Sequence, residues 1–197
     1  GAGVIGLSIA KALGEKTKNS VLVVEKENAI GKGVSSRNSE VIHSGIYYSP
    51  GSLKSKYCVE GRKKLYDYCL KNDIWHQNCG KLVVGQAHQE EQLEGLYKNA
   101  LKNGVDEIQI IDNQQISKIS PMVDSSIALK VDCTGIVSAH DLMTNFYHKS
   151  LNYEHDYLFK AEVMGIEKKS NNFSIELKNY FNEIEKVESK WVINAAG

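Results

Sequence analysis

The chain has 197 residues, enough for one large domain or two small ones, and its apolar share of 42% suits an ordinary globular core. Its 24 basic and 24 acidic side chains cancel, which argues against nucleic acid or an anionic membrane surface as the principal partner, so any ligand must be held locally. No apolar stretch approaches the ~20 residues that span a bilayer.

The chain opens on GAGVIG, in which Gly1, Gly3 and Gly6 satisfy G-x-G-x-x-G. These glycines permit a tight turn, close backbone approach to a pyrophosphate and close packing of helix on strand. Ile5, Ile9, Ala12 and Leu13 follow at helical spacing, and Gly14 suits a left-handed C-terminal cap. The β-branched run Ser20 to Lys26 reads as a strand buried on both faces of a parallel sheet. Glu25 stands at its end, where a carboxylate can accept bonds from a ribose diol; the plainer alternative is a solvated Glu. The motif also needs a strand before its first glycine, so the native chain is expected to extend upstream of Gly1.

Residues 30–52 are rich in Gly and Ser and read as a long loop, and long loops inside compact domains are usually functional. Ser52 then starts a helix whose expected inward positions are Leu53, Tyr57, Gly61, Leu65 and Tyr68. A strand over 80–86, a helix through Leu93, Leu96, Ala100 and Leu101 closed by Gly104, and a short strand over 106–112 come next. Ser138 and Asp141 stand at capping-box spacing before a helix through Leu142, Phe146 and Ser150. Finally, a hairpin turns at Asn171-Asn172, and KWVINAAG reads as a buried strand entering a glycine turn.

Cys58, Cys69, Cys79 and Cys133 lack C-x-x-C spacing and have no His at metal-ligand spacing, so they read as reduced thiols of a reducing cytosol and no metal is expected. His76, His88, His148 and His155 sit among polar neighbours and read as surface residues, and His140 as structural. Lys81, alone beside its strand, reads as solvated. The expected plan is an α/β, Rossmann-like dinucleotide-type unit at both ends, 1–47 and 151–197, lacking its first strand, with an inserted α+β substrate domain over 48–150. NAD and FAD share the glycine turn. The Ser-rich arm with Arg37 and Asn38 favours the longer, extended cofactor.

At GKGVSSRNSEVIHSGIYYSPGSLKSKYCVEGRKKLYDYC, with CGKLVV, TGIVSAHDLM and VINAAG following in order, the sequence resembles the D-amino-acid-oxidase-like superfamily of FAD-dependent oxidoreductases. Within it, the L-2-hydroxyglutarate dehydrogenase or oxidase family is the most similar. The resemblance implies that Gly1, Gly3 and Gly6 hold the FAD pyrophosphate, and that Glu25, with Lys26 beside it, meets the adenosine ribose. It places Ser35, Ser36, Arg37 and Asn38 along the pyrophosphate, Val163 at the adenine through its backbone, and Ala195, Ala196 and Gly197 beneath the cofactor. His43 and Tyr47 are implied at the flavin and substrate, with a histidine suited to taking the hydroxyl proton near neutral pH; a loop histidine with no chemical role and a packing tyrosine are the alternatives.

The implied reaction is oxidation of a small 2-hydroxy acid, L-2-hydroxyglutarate to 2-oxoglutarate, with oxygen or a quinone as electron acceptor. The implied location is the cytoplasm, with peripheral contact at the inner membrane left open. Glycerol-3-phosphate, sarcosine or glycine as donor, or a non-catalytic FAD-binding scaffold, are the other readings. Val34, where the family carries a hydroxyl, Ser44, where Ala is usual, and Ser138, where Asp is usual, depart from the pattern.

Overall fold

A computed structural model describes residues 1–197. In chain order its elements are α1 (Val4–Lys16), β1 (Val21–Glu25), β2 (Val41–Ile42), α2 (Leu53–Lys71), β3 (His76–Gln77), β4 (Lys81–Gly85), α3 (Glu90–Lys102), β5 (Ile108–Asp112), α4 (Asn113–Ile119), β6 (Ile127–Val131), β7 (Gly135–Val137), α5 (Ala139–Ser150), β8 (His155–Phe159), β9 (Glu162–Lys168), β10 (Phe173–Lys178) and β11 (Ile184–Ser189). They form two compact units, Gly1–Ser39 with Ala139–Gly197, and Glu40–Ser138. The units divide after residues 39 and 138, where the sequence reading divides after 47 and 150. The reason is packing: α5 lies along α1, and β2 pairs with β7.

In the first unit β1 and β8 run parallel, in register from Val21 opposite His155 to Glu25 opposite Phe159. Ala2, Leu7 and Ala10, Val23 of β1 and Met143 of α5 form the core, edged by Tyr147, Tyr157 and Phe159. Parallel strands joined through helices are the Rossmann-like arrangement. Beyond β8 an antiparallel sheet in the order β11-β10-β9 includes the Asn171-Asn172 hairpin and a third strand that the sequence reading missed.

Four expectations for this unit fail. Gly14 is not a cap: α1 runs on to Lys16, with Leu7, Ala10 and Gly14 as its buried positions and Ile5 exposed. Here a glycine serves helix packing, because a Cβ on Gly14 would run into the Tyr153 ring. β1 is not buried on both faces, since Leu22 is exposed. His155 is buried, its Nε2 within 3.1 Å of the Ala10 carbonyl, rather than at the surface. Residues 191–197 form no strand, and Trp191 and Ile193 are exposed, because no neighbouring strand bonds this segment.

The second unit is α+β. β6 lies between β4 and β5 in an antiparallel sheet. Its alternation sends Ile127, Leu129 and Val131 to one face, against Leu93 and Ala100 of α3 and Ile46, while Ala128 packs with Ile111 and Ile116 on the other. β2, β7 and β3 make a second small sheet.

Ser52 caps α2 as expected, its hydroxyl accepting from the Ser55 N–H at 3.1 Å. The buried face of α2 is nevertheless Ser55, Arg62 and Cys69, whereas Leu53 and Tyr57 are exposed. Arg62 carries a side chain only 2% exposed and makes a 3.0 Å ion pair with Glu107. A guanidinium this buried has to keep a counter-ion in reach, and Glu107 supplies it from the exposed side.

Candidate functional site

In the first unit the glycine turn is clasped from several sides. Ala2 is fully buried; its N–H donates to Glu25 Oε2 at 2.6 Å, and its carbonyl accepts from the Gly31 N–H at 2.9 Å. The other carboxylate oxygen of Glu25 accepts from the Glu27 N–H at 2.9 Å. Glu25 therefore holds the turn itself, and each oxygen keeps a lone pair for a further donor. A Cβ on Gly6 would strike the Gly1 carbonyl, so this close approach requires glycine.

The turn leads into α1, whose N-cap Gly3 supplies no side-chain acceptor and whose first turn carries no acidic residue. The Val4 N–H donates to the Ser35 hydroxyl at 3.0 Å, and the helical ladder begins with the Leu7 N–H on the Gly3 carbonyl at 3.0 Å. The amides of Ile5 and Gly6 are left to an external acceptor, at the positive end of the helix dipole. A phosphate meets that demand, and the set of donors fits a dinucleotide pyrophosphate.

Ser35 is thus brought to the helix terminus by the loop that follows β1. Asn38 Nδ2 donates to the Ser35 carbonyl at 2.8 Å and Ser36 Oγ to the Gly33 carbonyl at 3.1 Å, fixing the arm, while Arg37 and Lys26 extend into solvent. The segment 195–197 crosses the turn, the Ala195 carbonyl lying against Gly1 and its Cβ near Gly6. The Ala161 N–H donates to the Glu25 carbonyl at 3.0 Å, so β9, in which Val163 lies opposite Leu177 of β10, starts beside the end of β1.

His43 and Tyr47 belong to the second unit. His43 follows β2, with an exposed ring that makes no hydrogen bond within the chain, while its carbonyl accepts from Cys58 Sγ of α2 at 3.4 Å. Burial raises the pKa of this thiol, with Arg62 and Lys81 pulling the other way, which suits its role as donor.

The turn after His43 is pinned by two amides from α3 and its C-terminus. Asn99 Nδ2 donates to the carbonyls of Ile46 at 2.7 Å and Tyr48 at 2.9 Å, and Asn103 Nδ2 to those of Gly45 at 3.0 Å and Tyr48 at 2.8 Å. Ile46 anchors the same turn in the core. Tyr47 itself is 58% exposed, and Lys81 of β4 sits on its ring, Nζ 4.4 Å from the centroid and 3.4 Å from the hydroxyl. Asn99 and Asn103 escaped the sequence reading, while Cys58 was read only as a reduced thiol and Lys81 only as solvated. The two Asn at i,i+4 beside the apolar face of α3 were the available signal.

A glycine turn entering a helix N-terminus, an acidic residue at the end of the next parallel strand and a Ser-rich arm returning to that terminus define a dinucleotide-binding α/β protein. The family model of FAD dependent oxidoreductases (DAO) matches residues 1–197, and the chain belongs to this family. It is 41% identical over 150 residues to the L-2-hydroxyglutarate dehydrogenase, mitochondrial, of Dictyostelium discoideum, covering 74% of this chain and 34% of that protein. The mouse protein of the same name is 35% identical over 208 residues, covering 100% of this chain and 44% of its own length. The chain thus spans less than half the length of these curated relatives.

Among solved structures, the dithionite-reduced L-alpha-glycerophosphate oxidase from Mycoplasma pneumoniae with FAD bound superposes with a TM-score of 0.83 at 25% identity, covering 89% of this chain and 47% of that one. The L-proline dehydrogenase from P. horikoshii gives a TM-score of 0.80 at 20% identity over 100% of this chain and 51% of that one, a likeness of fold. No helix is long and apolar enough to cross a membrane.

Proposed function

We propose that this chain is the FAD-gripping part of an enzyme that oxidises L-2-hydroxyglutarate to 2-oxoglutarate. The observation that carries the reading is the 35% identity over the whole chain, rising to 41% over a part, to proteins named L-2-hydroxyglutarate dehydrogenase. In this reading the Ile5 and Gly6 amides and Ser35 hold the pyrophosphate, with Gly1, Gly3 and Gly6 allowing the approach. Glu25 takes the ribose hydroxyls, Lys26 stands beside it, and Val163 meets the adenine by its backbone. Ser36, Arg37 and Asn38 continue along the cofactor, and Ala195, Ala196 and Gly197 lie beneath it.

Bound FAD supplies the hydride acceptor for C2 of the hydroxy acid. His43 takes the hydroxyl proton, a role its exposed imidazole and fixed backbone support. Tyr47 contributes to substrate binding. The electrons pass on to oxygen or a quinone, and a quinone acceptor would bring the enzyme to a membrane face. Glycerol 3-phosphate as donor is kept as a second reading because the Mycoplasma oxidase shares the fold at 25% identity.

Anaerobic addition of substrate to the full-length flavoprotein separates these. L-2-Hydroxyglutarate is expected to bleach the flavin absorbance, with its D-isomer, glycerol 3-phosphate and sarcosine inert. Bleaching by glycerol 3-phosphate alone moves the assignment to the second reading, and a colourless protein that FAD cannot restore ends both.

A further inference from the structure

Lys81 stands out among the cations of the second unit because the fold places it. It begins β4 on the strand face that also carries Val83, and Val83 packs on the cluster containing Ile46. Its ammonium sits 4.4 Å from the Tyr47 ring centroid, 3.4 Å from the hydroxyl, and forms no ion pair with any carboxylate. Tyr47 is equally placed: four hydrogen bonds from Asn99 and Asn103 and the buried Ile46 hold a turn whose tyrosine remains 58% exposed. A half-buried ammonium without a carboxylate partner, seated on a tyrosine whose turn is held by this much hydrogen bonding, is preorganisation for a ligand that carries negative charge and accepts hydrogen bonds.

We propose that Lys81, seated on Tyr47, binds the side-chain carboxylate of the substrate and so selects dicarboxylic over monocarboxylic 2-hydroxy acids. This rests on the 2-hydroxyglutarate reading given above. The C1 carboxylate is attached to the carbon that is oxidised and must stay with the proton-accepting His43. The Lys81 ammonium contacts Tyr47, not His43, so it is placed for the carboxylate at the other end of a longer acid. The Tyr47 hydroxyl both fixes the ammonium and donates to the bound carboxylate.

The test compares kcat/KM for L-2-hydroxyglutarate and for L-2-hydroxybutyrate, which lacks the second carboxylate, in the full-length FAD enzyme and its Lys81→Met and Lys81→Arg variants. The ratio of the two is expected to fall by about 10- to 100-fold in Lys81→Met, mostly through KM for the dicarboxylate, and to be largely retained in Lys81→Arg. An unchanged ratio in Lys81→Met overturns the proposal. If the Met variant loses its flavin or melts early, inhibition of the unaltered enzyme decides: glutarate should inhibit at least about tenfold more tightly than butyrate, and equal inhibition overturns it. An unaltered enzyme that oxidises neither hydroxy acid refutes the parent reading instead, which keeps the two failures apart.

Discussion

At the residue scale, Glu25 was legible by position and only half legible by role. Spacing from the glycines marks it as a ribose acceptor, yet in the fold its carboxylate already takes the amides of Ala2 and Glu27. Glu25→Ala should therefore do two things. Left without an acceptor, the buried Ala2 amide costs about 1–3 kcal/mol of stability, and the loosened turn releases FAD. Glu25→Gln keeps one carbonyl oxygen for Ala2 and should lie between. Melting temperature and the flavin content after gel filtration measure both effects, and an alanine variant that keeps its melting point and its colour would show Glu25 to be merely solvated. Lys81 shows the converse: no periodicity or motif in one sequence reports that a lysine on one strand will meet a tyrosine 34 positions earlier.

At the element scale, strands and helices with plain apolar periodicity were readable: β1, β4, α3, β5, α5 and the β9-β10 hairpin all occur where the pattern puts them. What failed was the facing of helices. α2 carries Leu53, Tyr57 and Leu70 outward and buries Ser55, Arg62 and Cys69, with Arg62 paired to Glu107, a facing that apolar spacing does not reveal. α4, β6, β7, β8 and β11 and the two-residue β2 and β3 were missed; the short run of β6 is buried on both faces and so lacks the apolar-polar alternation of a half-buried strand.

Gly14 makes the facing problem measurable. In a solvent-facing helix interior, Gly→Ala would stabilise by about 1 kcal/mol. In α1 the new Cβ meets the body of the Tyr153 ring, including Cγ close to the backbone, so the ring cannot simply swing away. Overpacking of this kind costs about 1–3 kcal/mol, and Gly14→Ala should destabilise. In a Tyr153→Ala background the sign should reverse, as chemical denaturation of the four variants would reveal. A stabilising effect of Gly14→Ala with Tyr153 intact would show that the ring gives way and that this approach does not require glycine.

At the scale of the whole molecule, the chain leaves its cofactor unit after residue 39 and re-enters it at 139. The glycine turn and the 195–197 segment, at opposite ends of the sequence, therefore meet in one unit. The discontinuity was legible from the motif order, but its boundaries depend on the docking of α5 and the pairing of β2, which sequence does not display.

All four cysteines lie in the Glu40–Ser138 unit, which makes its integrity separately observable. Cys79 is exposed, whereas Cys133 is 3% exposed and its thiol is pushed up to about 11, chiefly by burial, with Glu107 reinforcing and Arg62 opposing. At pH 8 only about one Cys133 in a thousand is then a thiolate, so a thiol reagent should label Cys79 at once and Cys133 only as fast as the unit opens.

The same shift fixes the direction of the pH dependence. The folded chain holds the Cys133 proton more tightly than the unfolded chain, whose thiol titrates near 9.0. Its contribution is present in full below about pH 9 and is lost as pH rises through about 11. Burial raises Cys58, Cys69 and Tyr66 in the same sense, so stability should fall on the alkaline side. Cys133→Ser, which does not titrate there, should show a shallower loss of melting temperature across that window. An identical slope in the two proteins would mean that Cys133 reaches water in the native fold, and rapid labelling of Cys133 at pH 8 would say the same by a second route.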